Sequence, residues 1–81
     1  MSNPHSTLVV GYCLVTNTLL TDKPQYMVNY HVKKSKVQYV ELTEQKHLAR
    51  SYDSEFFADH VRYILNINTP YTFVVKEIIC I

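Results

Sequence analysis

An 81-residue chain with 8 Lys and Arg against 7 Asp and Glu carries a net charge of +1. It has room for one small domain, and its charge argues against both an acidic DNA mimic and a strongly basic nucleic-acid binder. Hydrophobic residues make up 47% and charged residues 19%, a globular rather than a disordered balance. The single glycine, Gly11, leaves no Gly-rich phosphate loop and no dinucleotide fingerprint.

Residues 1–6 read as a disordered lead and residues 7–81 as one α+β domain. The start has no basic cluster and no leading apolar stretch, so no signal peptide is expected. The apolar run Leu8 to Val15 is far short of the roughly 20 residues that span a bilayer. The chain therefore reads as soluble and cytoplasmic, with no membrane partner. Cys13 and Cys80 read as two buried thiols on apolar strands; one disulfide between them is formally open.

The first strand is expected over about Thr7 to Thr21. Its residues Leu8 to Val15 are apolar on both alternating faces, as in a strand covered on both sides. Thr21-Asp22-Lys23-Pro24 has turn chemistry. The second strand shows period two, with Tyr26, Val28, Tyr30 and Val32 on one face and Gln25, Met27, Asn29, His31 and Lys33 on the other. Lys33-Lys34-Ser35-Lys36 forms a polar turn. A third strand follows over Lys36 to Leu42, with Val37 and Tyr39 on one side and Val40 and Leu42 on the other. A turn at Thr43 to Lys46 leads into a fourth strand over His47 to Tyr52.

Asp53 or Ser54 can cap a helix, and Glu55 in the first turn suits its dipole. Phe57, Val61, Ile64 and Leu65 recur at helical spacing as the core stripe, flanked by Phe56, His60 and Tyr63, with Ala58, Asp59 and Arg62 on the polar side. Asn66 and Asn68 end the helix, and Pro70 blocks continuation. The last strand covers Tyr71 to Cys80, with Tyr71, Phe73, Val75, Ile79 and Ile81 on one face. The expected fold is β-β-β-β-α-β: a mostly antiparallel sheet of about five strands with one helix packed on one face.

The four histidines, His5, His31, His47 and His60, show no i, i+3 or i+4 pair, and neither cysteine has a near neighbour of its kind, so local zinc spacing is absent. Ser51, Asp53, Ser54, Asp59 and His60 cluster in sequence near the helix start, but no glycine flanks a serine as a nucleophile elbow requires. Capping and solvation explain them better than catalysis. No catalytic residue, metal ligand or cofactor is assigned, and the chain is read as a non-enzyme.

Lys33, Lys34 and Lys36 are the strongest local charge feature. On a hairpin tip they could touch phosphates or contact another protein, with Tyr30 and Tyr39 as nearby anchors; lysines also make polar turns and guard edge strands. Seven tyrosines exceed what a small helix-on-sheet core can hide, and tyrosine favours protein interfaces. Arg62 and Tyr63 on the helix form a second candidate patch.

The stretch Ala49 to Leu65 has a short strand ending in an aromatic, an Asp-Ser cap and an amphipathic helix. It resembles small bacteriophage-encoded accessory proteins, some anti-CRISPR proteins among them, over about a fifth of the chain. The resemblance implies stoichiometric binding to a host protein or ribonucleoprotein complex, without catalysis. The leading expectation is thus a phage or mobile-element inhibitor that sterically blocks a host defence or nucleic-acid-processing complex. The alternatives are a small RNA- or single-stranded-DNA-binding protein using the Lys33–Lys36 turn, and a homo-oligomeric subunit, for instance a homodimer joined through the apolar last strand.

Overall fold

The computed structural model describes residues 8–17 and 23–80. Four strands form one antiparallel sheet: β1 (Leu8–Asn17), β2 (Pro24–Lys33), β3 (Lys36–Thr43) and β4 (Phe73–Cys80), in the order β3-β2-β1-β4. A single α-helix, α1 (Glu55–Asn68), lies across one face, and a 3-10 turn spans Lys46–Leu48. The fold is α+β as expected, with four strands rather than five. The lead, the Thr18–Asp22 part of the first strand and turn, and Ile81 lie outside the described residues.

The missing fifth strand has a clear physical cause. β1 meets β2 only where Val15, Thr16 and Asn17 face Tyr26, Gln25 and Pro24. Along the rest of its length β1 pairs with β4, and β2 pairs with β3. The sheet therefore forks, leaving backbone groups of β1 and β2 without strand partners along the gap. The segment expected as a fourth strand fills this fork. Arg50 N–H donates to Met27 C=O at 2.9 Å, and Tyr12 and Tyr52 exchange two backbone hydrogen bonds at 2.8 Å. Residues 50–52 thereby pair the Met27 carbonyl and both backbone groups of Tyr12 but make one isolated bridge, not a strand.

Gly11 stands where this segment crosses β1. A Cβ there would collide with Ser51 Oγ and lie 3.2 Å from the Tyr52 carbonyl oxygen. The serine can turn away, whereas the carbonyl is held by Tyr12. Gly11→Ala is expected to cost about 1–2 kcal/mol, seen as a lower midpoint in urea unfolding; an unchanged midpoint would mean that the segment is not fixed in the fork.

Three register shifts re-aim side chains and overturn the simple alternation expected of the strands. Val10, Val28 and Gln38 are the extra residues, each a bulge that flips the faces beyond it. Before Val28 the core residue of β2 is Met27, fully buried; after it, Tyr30 packs against the core. Tyr26, Val28, Tyr30 and Val32 therefore do not share one face. On β3 the bulge lets Val37, Val40 and Leu42 all pack toward the core, while Tyr39 faces away from Val37, not with it.

The core is Leu14, Met27, Tyr52, Ala58, Val61, Leu65 and Phe73. Helix α1 buries Ala58, Val61 and Leu65. Ala58, expected on the polar side, is fully buried, because a small residue lets the helix approach the sheet closely. Phe57, expected in the core stripe, is 54% exposed, at the rim beside Tyr52. Ser54 caps the helix, its Oγ accepting from Phe57 N–H at 3.2 Å. At the other end Asn66 clamps α1 to β4: its side chain donates to Phe73 C=O at 3.1 Å and accepts from Phe73 N–H at 2.7 Å.

Cys13 is a buried free thiol. It faces Lys76 across the ladder, whereas Cys80 faces Leu8. Lys76 and Cys80 are four positions apart on β4, about 13 Å of strand, too far for a disulfide. Burial pushes the Cys13 thiol up from its ordinary pKa, against the opposing pull of Lys46 and Lys76.

Candidate functional site

The β2–β3 hairpin ends in a two-residue loop in which Lys33 and Lys36 close the ladder. Lys34 and Ser35 have φ of 53° and 64°, the left-handed backbone of the tight hairpin turn that matches strand twist. Asn-Gly is the usual choice there; a side chain on Cβ costs about 1–2 kcal/mol per residue in this region. The loop thus keeps a lysine where turn stability favours another residue, a cost of the kind found at binding sites. Replacing the pair by Lys34→Asn with Ser35→Gly is expected to raise the melting temperature by about 5–10 °C. A fall on thermal unfolding would contradict the left-handed turn.

Lys33, Lys34 and Lys36 are all exposed, and among the described residues none of their ammonium groups pairs with a carboxylate. Next to them on the ladder, His31 faces Tyr39. Their rings stack with centroids 5.7 Å apart and planes 14° from parallel. Because Val37 and Val40 point toward the core, Lys36 and Tyr39 share the opposite face, and Lys33 and His31 lie across from them. The result is one continuous surface of two parallel rings and a cluster of ammonium groups. Tyr39 is 54% exposed, and a groove of about 340 Å³ lined by Gln38, Tyr39, Pro70 and Tyr71 opens beside it.

The structure thus brings Tyr39 together with the three lysines and separates Tyr30 from them. Tyr30 pairs with Val40 on the helix-facing side and packs against the core. His31 stands just before the lysines in sequence, but its stack on Tyr39 was not expected from the sequence. Only the cross-strand register, set by the bulge at Gln38, places it against Tyr39.

Arg62 and Tyr63, the second candidate patch, lie apart from the hairpin on the outer side of α1. Arg62 Nε donates to Asp59 Oδ1 at 2.7 Å, and Tyr63 is 57% exposed. Phe56, 86% exposed, and Ile67, 63% exposed, extend this patch along the helix.

Two of the residues near the helix start are engaged otherwise. Ser54 is the helix cap and Asp59 holds Arg62. His47 and Ser51 line a hollow of about 570 Å³ with Lys46, Ala49 and Ile78. No hydrogen bond joins them among the described residues. Nor do three His, Cys, Asp or Glu side chains converge there as a cation site, and no described helix is long and apolar enough to cross a membrane. Comparison with family models, with curated proteins and with solved structures found no match for this chain.

Proposed function

We propose that this chain is a non-enzymatic protein-binding module whose hairpin tip docks on an acidic surface of another protein. The observation that carries the reading is the shared face of Lys33, Lys36, His31 and Tyr39 next to Lys34. Unpaired ammonium groups provide steering and charge complementarity, and a half-exposed tyrosine beside a groove provides an apolar anchor. The turn that presents them sacrifices backbone stability to do so. The likeness of residues 49–65 to small phage-encoded accessory proteins supports a finer reading. In it, the module comes from a phage or mobile element and works in the host cytoplasm, covering a surface that a defence or nucleic-acid-processing complex needs.

The stacked His31–Tyr39 pair favours a second reading, single-stranded RNA or DNA, since parallel rings flanked by lysines suit unstacked bases and phosphates. A salt titration of the captured complex separates the two. Phosphate binding loses affinity steeply, with a logarithmic slope that follows the number of phosphates neutralised. A tyrosine-centred protein interface falls off more gently and survives nuclease. Loss of all binding after nuclease treatment would overturn the protein-binding reading.

A further inference from the structure

The outer side of α1 carries apolar residues where a helix on a sheet normally turns polar ones to solvent. Phe56, His60, Tyr63 and Ile67 are all exposed and spaced 4, 3 and 4 residues apart, the a/d spacing of a helix–helix seam. Ala58, Val61 and Leu65, buried against the sheet, occupy the opposite side. This helix is therefore apolar on two sides, and among the described residues only one of them is covered.

We propose that the uncovered side pairs with the same helix of a second copy, antiparallel across a twofold axis. The 4-3-4 spacing reads the same from either end. Reversal sets Phe56 over the partner's Ile67 and His60 over the partner's Tyr63, so the stripe is its own complement, as an isologous interface requires. Asp59 and Arg62, already joined at 2.7 Å, flank the seam. A parallel pair would instead set His60 beside the partner's His60 at the centre of the seam.

Area and the competing surface point the same way. Phe56 is 86%, Tyr63 57% and Ile67 63% exposed, and His60 between them is exposed as well. With about 150–250 Å² for each aromatic side chain, the stripe offers on the order of 500 Å² per copy. The pair would bury about 1,000 Å², the lower bound for a specific interface, consistent with a micromolar dimer. The other self-pairing route is β4, an edge strand of the sheet. A twofold antiparallel β4 pair keeps each face with its like, so its centre falls on a residue. Centred on the middle of the strand, it sets Lys76 opposite the partner's Lys76 or Glu77 opposite the partner's Glu77, and like charges directly opposed are destabilising. That edge is guarded, and the helix is not.

The inference stands apart from the hairpin reading, since neither surface includes the other; a dimer would present two lysine tips and bind bivalently. Sedimentation velocity from about 1 to 200 µM tests it on the full chain. The wild type is expected to pass reversibly from monomer to dimer in that range. Phe56→Glu with Ile67→Glu, both at exposed positions, is expected to weaken dimerisation at least 100-fold with an unchanged circular dichroism spectrum. Val74→Lys with Ile79→Lys on β4 is expected to leave it intact. A wild type that stays monomeric at the highest concentration would overturn the proposal. So would a dimer that survives the helix changes or is lost only in the β4 variant.

Discussion

Replacing Tyr52 by alanine is expected to unfold a large share of the molecules at room temperature. Tyr52 is 7% exposed, its backbone bridges the fork to Tyr12, and its ring packs against Phe57 and beneath the Arg50 guanidinium, 5.6 Å away. Removing a buried aromatic ring costs about 3–5 kcal/mol. A domain this small has a total stability of about 4–12 kcal/mol, so the loss is comparable to the whole. Phenylalanine gives the opposite result. The Tyr52 hydroxyl is buried with no hydrogen-bond partner among the described residues, so Tyr52→Phe keeps the packing and relieves a desolvation penalty. It is expected to be neutral or to stabilise by up to about 1 kcal/mol.

The same hydroxyl sets an alkaline limit. Burial pushes its pKa from 10.0 up to about 12, with Arg50 pulling it down and Tyr30 adding to the rise. Below pH 10 the phenol is neutral in both folded and unfolded chains, and its contribution is fully present. Between pH 10 and about 12 the unfolded chain loses this proton while the folded chain holds it. Stability therefore falls as pH rises, by about 2–3 kcal/mol for this group. The buried Cys13 thiol, also raised, adds a loss of the same sign from about pH 9. Urea midpoints between pH 8 and 12 should show a steep decline in the wild type and a shallower one in Tyr52→Phe. Equal slopes would place the phenol in contact with water.

Reversing the hairpin charges has the largest expected effect on binding. Lys33→Glu, Lys34→Glu and Lys36→Glu together replace attraction by repulsion toward an acidic partner, and like-charge juxtaposition costs several kcal/mol. Affinity should fall at least about 100-fold. All three side chains are exposed, so the fold should be retained and the melting temperature should move by only a few degrees. Tyr39→Ala should weaken binding as well, whereas Tyr30→Ala should act mainly on stability, because Tyr30 packs on the core side.

How far these surfaces could be read from the sequence depended on what each residue's position rests upon. The helix was legible because capping and termination are local: Ser54, Glu55 and Pro70 mark its ends whatever it packs against. The hairpin was legible because Lys33 to Lys36 breaks two alternating apolar runs. The bulges at Val10, Val28 and Gln38 were not legible, since an extra residue leaves no mark in composition and shows only when the partner strand fixes the register. Tyr39 therefore shifted faces relative to Val37, and the His31 stack went unseen. Segment 47–52 has the residues of a strand but lies in a fork made by strands distant in the chain. Ala58 read as polar-side filler, since nothing local says that the helix needs a small residue at its closest approach to the sheet.

The central claim is that the hairpin tip binds protein, and a paired capture experiment tests it most directly. Wild-type and Lys33→Glu/Lys34→Glu/Lys36→Glu chains, equally folded by circular dichroism, are tagged and passed through the same nuclease-treated bacterial lysate. Bound proteins are then identified by mass spectrometry. The account predicts one protein or complex held by the wild type and lost with the reversed hairpin. The same protein held equally by both chains, or none held by either, would contradict it.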